Sequence, residues 1–440
     1  MPEKPARRRL EAWVDPAVVF GGIPDDAAFW LDAGPDAADG WSWLGTGVAA
    51  AVPDPFLDGA VRGTDPAGPF RGGWVGWFGY DAAARAAGAP ARSDVDADDD
   101  ALWLRVDRVV AFDHAARDVW LSAPEDEIDE FERTVAAWCE AGAARAAAPP
   151  ASPAVLTATA RVDPDAYGRL VEDCRAAIRR GDAYQLCLTT RFDVAADAAL
   201  DPLAVFFRLR ATAGSHHGGF IRSGARALVS ASPERFLQLA DGVVRTSPIK
   251  GTRPRGSDDR ADARLIAELV SSPKERAENV MIVDLMRNDL QRVCDPGSVV
   301  VERLFAVESY PTVHQLVSTV AGRLRDGIRF SDLLAATFPA GSMTGAPKLS
   351  AMTILHGLER APRGLFAGCF GWIDAGGRGD LAMVIRSIVI DGARAYVGAG
   401  GGITWGSEPD AEVAEVAVKA RAPLDALGAG LPPRWRERVR

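Results

Sequence analysis

Residues 272–290, SPKERAENVMIVDLMRNDL, are the stretch around which the rest of the chain is read. Serine, then proline, then glutamate three residues on marks a helix start, with Ser272 as N-cap, Pro273 at the first helical position and Glu275 at the third. The predicted helix continues through Glu278, Ile282, Leu285 and Met286, and a spacing of three puts Glu275 and Glu278 on one face. A second helix, predicted from Ser407-Glu408-Pro409, repeats the arrangement with Glu412 and Glu415. Two such acidic pairs converging on one point suit a hard cation, because magnesium takes oxygen ligands, usually one or two carboxylates plus water and substrate oxygens. Plainer readings stand beside this one: Glu275 as a capping-box residue, and Glu415 with Lys419 as a surface ion pair.

Working outward, Asp163 and Pro164 open a helix whose stripe Tyr167, Leu170, Val171, Cys174 and Ile178 stops at Gly181. Strands are predicted over 184–192, 243–247, 368–373, 381–390 and 395–397, and the Gly- and Trp-rich segment GGWVGWFGY at 72–80 suits strand and turn. Strands in clusters, with helices between them but no regular βαβ alternation, predict an α+β fold with largely antiparallel sheets. The alanine- and proline-rich stretch 142–160 reads as a linker between an N-terminal domain, 1–141, and a larger one, 161–430.

Composition narrows the function classes. A formal charge of -10 makes the chain a poor partner for nucleic acid, whose phosphates need a basic face. Five scattered cysteines without a C-x-x-C pair indicate neither a disulfide framework nor a zinc site, which fits a reducing cytoplasm. Arg7, Arg8 and Arg9 are not followed by the apolar run of a signal peptide, and no segment reads as a membrane span. The acidic run Asp94, Asp96, Asp98, Asp99 and Asp100 lacks the glycine and glutamate of a calcium loop and reads as a solvated loop.

Three loops rich in glycine or cations are predicted. SPIKGTRPRG at 247–256 would hold Lys250 in a constrained place, GSMTGAPK at 341–348 supplies small residues and hydroxyls, and GAGGG at 398–402 would expose backbone N–H groups to an anion. Neither glycine-rich segment fits a nucleotide-binding loop. Ser247 and Lys250 have the S-x-x-K spacing of acyl-transferring serines, but Pro248 and Gly251 argue against the helix that motif requires.

Taken in order, ASPERF at 231–236, PIKGT at 248–252, Glu278 with MIVDL at 281–285 and RND at 287–289, the 341–348 segment, IRS at 385–387 and the 398–419 stretch resemble the chorismate-utilising enzymes. That family includes anthranilate synthase component I, aminodeoxychorismate synthase component I, and the isochorismate and salicylate synthases. The resemblance covers about residues 160–425 and implies an anthranilate synthase component I-like α/β sandwich. It also implies a Mg2+ ion held by Glu278 and Glu415, with Glu275 and Glu412 completing the acidic site and chorismate bound through its ring carboxylate. Thr252, Ser342, Trp372, Arg386, Gly400, Gly401 and Lys419 match substrate-binding positions, although Trp372 stands where anthranilate synthases show tyrosine. The family histidine falls at Gln315, so His314 is given no catalytic role.

Within the family the pattern is most similar to aminodeoxychorismate synthase component I. Gln185 replaces the lysine that activates water in isochorismate and salicylate synthases, and Lys250 replaces the alanine of anthranilate synthases. The resemblance makes Lys250 a nucleophile at C2 of chorismate, displacing the 4-hydroxyl before ammonia enters at C4, with Glu234 as the acid that protonates the departing oxygen. Burial and the flanking cations Arg253 and Arg255 are expected to favour a reactive amine. The alternative for Lys250 is a plain ion pair with a substrate carboxylate. No G-x-C-x-G turn or H-x-E triplet of a glutaminase is present, so ammonia is expected from a separate glutamine amidotransferase subunit. RRLE at 8–11 differs from the L-L-E-S segment through which anthranilate synthases sense tryptophan. Two other readings stay open: an anthranilate synthase component I releasing pyruvate, and a catalytically silent subunit that only binds a partner.

Overall fold

Alternating apolar residues with β-branched and aromatic side chains dominate the described strands, and two large sheets form from them. The computed structural model describes residues 5–24, 26–57, 67–92, 101–147, 155–310 and 313–439; the aspartate run at 94–100 lies outside them. One sheet has twelve strands and the other ten, and every pairing among the described strands is antiparallel. Helices cover the outer faces, which gives the α+β sandwich expected from the sequence. Among the described residues no helix is long and apolar enough to cross a membrane, and all five cysteines are free.

Both sheets draw strands from the two ends of the chain. In the larger sheet Ala27–Asp32 pairs with His217–Ser223; in the smaller, Gly73–Phe78 pairs with Cys369–Ile373. The division at 142–160 therefore separates stretches of sequence that build the same two sheets. The stretch is also only partly a linker. A helix, Ile128–Ala147, runs through its first residues, and Ala158–Ala160 pairs with Gln185–Ala195. Gly142 belongs to that helix because it is where the backbone of Pro16–Gly21 comes closest: a Cβ there would lie 1.7 Å from the carbonyl oxygen of Val18. The glycine that looked like a linker residue is a helix-crossing point.

The predicted strand over 381–390 is two strands, Gly379–Met383 in the smaller sheet and Ser387–Asp391 in the larger. The intervening turn places Arg386 at φ 52, a left-handed conformation that ends one strand and starts the other. Both halves are apolar, so periodicity could not separate them. The glycine-rich 398–402 segment is likewise no loop but part of the strand Arg394–Ile403, paired along its length with Gln185–Ala195. The predicted 247–256 loop contains the strand Ile249–Pro254.

Three apolar clusters hold these layers together. One lies under the helices of the larger sheet and includes Tyr167, Phe192, Val416 and Trp435; one lies between the sheets, with Phe29, Trp77 and Trp372; one joins the smaller sheet to the helix Pro273–Gln291 through Ile282, Met286 and Leu290. The first and third anchor the two acidic helices by their apolar stripes, which fixes where their glutamates point.

Gly142→Ala is expected to cost about 2 kcal/mol or more by forcing two backbones apart. Gly357→Ala, on an exposed helical position with nothing within 4 Å, should be neutral or stabilising by up to about 1 kcal/mol. Urea unfolding of both variants checks the contrast.

Candidate active site

Ser272 caps the first acidic helix, its Oγ accepting from the Glu275 amide at 3.4 Å, with Pro273 following. The capping and acidic roles thus coexist, since the backbone of Glu275 serves the cap while its carboxylate lies 3.6 Å from Arg253. One turn on, Glu278 is buried, and its Oε1 has no hydrogen-bond partner; Lys274 stands 3.9 Å away. Burial pushes the Glu278 carboxyl above its ordinary range.

The second acidic helix, Pro409–Leu427, buries Glu412 and leaves Glu415 half exposed. Burial raises the Glu412 carboxyl, while for Glu415 the effect of burial is outweighed by Lys419 at 2.6 Å, leaving that carboxyl below its ordinary range. Both acids face Gly401, where a Cβ would fall 2.7 Å from Glu412 Oε2 and 3.9 Å from Glu415 Oε1.

The four acids do not form the convergent cluster expected from the sequence. Among the described residues no three His, Cys, Asp or Glu side chains gather closely enough to hold a metal ion. Mutual repulsion opposes such a cluster, and Arg253, Lys274 and Lys419 each draw one acid aside. Glu278 nonetheless lies within electrostatic reach of Glu275 and Glu412. Two carboxylates with water and substrate oxygens suffice for magnesium; Glu278, with its orphaned buried oxygen, has the chemistry of one such donor, and it shares the field of Lys250 with Glu415.

Opposite these acids, a register shift with Gly251 at φ +88 bends the strand Ile249–Pro254. A Cβ at Gly402 would sit 2.8 Å from Gln185 Nε2 and 3.1 Å from Lys250 Nζ, so amide and amine lie together over the Gly402 backbone. Lys250 forms no hydrogen bond or ion pair with another described residue. Gln185 is fully buried, and neither amide atom has a partner. The expected cationic surroundings of Lys250 are not found: Arg253 pairs with Glu268 and Glu275, and Arg255 pairs with Asp262. Lys250 instead sits in the field of Glu234, Glu278 and Glu415.

Glu234 follows the strand Arg226–Ser232 and is buried, accepting a hydrogen bond from Ser342 Oγ at 2.9 Å. Burial pushes its carboxyl up to about 7, against the opposing influence of Ser342, Lys250 and Lys419. Of the other expected positions, Lys419 donates to the Gly400 carbonyl at 2.8 Å, and Arg386 lies in the field of Glu415. Of the strand Arg394–Ile403, Ser387–Asp391 reaches only residues 394–397, so residues 398–403 are hydrogen-bonded along a single edge, leaving alternate amides off the ladder. Thr252 is exposed, opposite Gln315. Trp372 is not brought to the acids: it packs on Trp43 and Phe70 and lines a separate cavity with His216 and His217. His314 is buried and turned to Asp262, 2.8 Å from its Nε2.

Two participants escaped the sequence reading. Lys274 neutralises Glu278, and its i,i+4 spacing was visible. Gln315, buried with an unpartnered Oε1, carried no signal of its own beyond standing at the family histidine position.

Residues 39–425 match the family described as chorismate binding enzyme. An aminodeoxychorismate synthase of Streptomyces griseus is 40% identical over 378 residues, covering 83% of this chain and 52% of the relative, so the chain spans about half the length of that protein. Aminodeoxychorismate synthase component 1 of Klebsiella aerogenes is 41% identical over 362 residues, covering 82% and 78%. Among solved structures, anthranilate synthase component I from Streptococcus pneumoniae TIGR4 superposes with a TM-score of 0.70 at 28% identity, covering 96% of this chain and 93% of that one.

The Glu234 environment predicts a pH-dependent stability. The folded chain holds a proton on Glu234 that the unfolded chain releases near 4.5, so ionising it costs progressively more as pH rises to about 7. Glu234→Gln should therefore gain on the order of 3 kcal/mol relative to the parent between pH 5 and pH 8, measured by urea unfolding at both values. An equal difference at the two pH values contradicts the assignment.

Proposed function

The chain belongs to the chorismate-binding enzyme family, and we propose that it aminates chorismate at C4 to give 4-amino-4-deoxychorismate, using ammonia delivered by a separate glutamine amidotransferase subunit. The observation that carries this reading is the Lys250 amine, unpaired and set over Gly402 beside Gln185, with the protonatable Glu234 and the acidic helices around it. An anthranilate-forming site would have no evident use for an amine there.

In this reading Arg386, Lys419 and the off-ladder amides near Gly400 and Gly401 hold the substrate's carboxylates. Glu278 and Glu415 would hold magnesium, which supplies charge neutralisation for the ring carboxylate. Lys250 attacks C2, both conjugated ring double bonds shift by one position, and the C4–O bond breaks as Glu234 gives its proton to the departing oxygen, which leaves as water. Ammonia then bonds to C4, both double bonds move back, and the C2–N bond breaks, releasing Lys250 as the free amine. The surplus proton of the added nitrogen returns to the Glu234 carboxylate, ready for the next turnover. Because Gln185 offers an amide rather than an amine, it has no basic group with which to activate water.

Incubation of the chain with chorismate, magnesium and ammonium, followed by mass-spectrometric product identification, tests the proposal. The expected product is 4-amino-4-deoxychorismate; anthranilate with pyruvate, or no turnover, overturns it. Lys250→Ala and Glu234→Gln should each lower turnover by about 100-fold or more. Turnover should fall as pH rises through about 7, where Glu234 loses its proton, and chelation of magnesium, like Glu278→Gln, should abolish it.

A further inference from the structure

Two motif residues have no part in the chemistry above: Asp289, in the last turns of the helix Pro273–Gln291, and Lys348, which opens the helix Lys348–Glu359. Both side chains are mostly buried, and Lys348 Nζ donates to Asp289 Oδ2 at 2.7 Å and to the Thr337 carbonyl at 3.3 Å. A buried ion pair is rarely a gain in stability over apolar packing, so its use is more often to fix one arrangement. Here it ties the start of the helix Lys348–Glu359, next to the short segment just before Lys348, to the acidic helix. Gly341 lies flat on the acidic helix, where a Cβ would come 2.4 Å from Leu285 Cδ2 and 2.8 Å from Met286 Cε. The next residue, Ser342, donates to Glu234.

We propose that Asp289 and Lys348 form a positioning pair that clamps the 341–347 segment to the acidic helix and so holds the Ser342 hydroxyl against Glu234. The acidic helix thereby serves two ends of the site, presenting Glu275 and Glu278 from its first turns and anchoring, from its last, the group that tunes the acid. Three groups act on the Glu234 carboxyl: Ser342 from that segment, Lys250 from the strand Ile249–Pro254, and Lys419 from the helix Pro409–Leu427. The proposal concerns only the first. It rests on the functional reading for its purpose but not for its test.

The test is an infrared titration of the protonated Glu234 carboxyl band in the substrate-free chain, with the band assigned by its loss in Glu234→Gln. Lys348→Met should strengthen proton binding at Glu234 by about tenfold, matching Ser342→Ala, since both remove a hydrogen bond to a charged acceptor. Lys348→Arg should restore the parent value, and Lys348→Met combined with Ser342→Ala should shift no further than Ser342→Ala alone. If Lys348→Met fails to fold, Asp289→Asn is read in the same way. An unchanged titration in the folded variant, or shifts that add in full in the double variant, overturns the positioning pair. Because no turnover is involved, a chain that fails to aminate chorismate refutes the proposed function and leaves this result to be judged alone.

Discussion

Charge drawn wholly or partly out of water beside a glycine-rich strand governs the arrangement of this protein. An ionised group taken from water needs a counter-charge, a set of hydrogen bonds, or a proton to neutralise it. The chain uses all three. Arg253, Lys274 and Lys419 approach Glu275, Glu278 and Glu415 in turn, Lys348 approaches Asp289, and Glu234 is protonated up to about neutral pH. Among the described buried polar atoms without a hydrogen bond, which include several indole nitrogens elsewhere, Glu278 Oε1, both amide atoms of Gln185 and Gln315 Oε1 belong to residues of the site, and the Lys250 amine there is also unpaired. Orphaned carboxylate and amide atoms beside an unpaired amine are groups that a ligand's polar atoms can satisfy.

The fold makes this possible by bringing helix termini and a glycine strand together. The strand Arg394–Ile403 passes beneath Glu412, Glu415, Gln185 and Lys250, and its glycines are the only residue type that lets carboxylates, amide and amine approach the backbone so closely. Arg386 sits where the chain passes from one sheet to the other, so the residue proposed to hold a substrate carboxylate also marks the crossover of the architecture. The apolar stripes beneath the acidic helices then leave those glutamates little freedom to move apart.

Much of this was legible in advance. The Ser272 cap and Pro273 start, the Asp163 cap, the two acidic helices and the antiparallel α+β class all follow from local rules that tertiary context did not override, whereas the convergence of the four acids did not hold. Failures came where tertiary context decided. Glycines at 398–402 read as a loop because nothing local shows that a neighbouring strand and two glutamates demand the absence of side chains. The helix through Gly142 was hidden for the same reason, its glycine serving a crossing with Pro16–Gly21. Arg253 and Arg255 looked like partners of Lys250 by adjacency, whereas alternation along a strand and the acids of the following helices turn them elsewhere. Trp372 aligned with a substrate-contacting position but belongs to an aromatic cluster between the sheets.

The reading stands or falls on Lys250 as a nucleophile rather than a bystander cation. The most direct probe is peptide mapping by mass spectrometry after the chain is mixed with chorismate and magnesium while ammonia is withheld. The peptide bearing Lys250 should gain the mass of chorismate less one water, and lose it again when ammonium is added. Turnover with ammonium in a chain whose Lys250 peptide never carries that mass would contradict the covalent route.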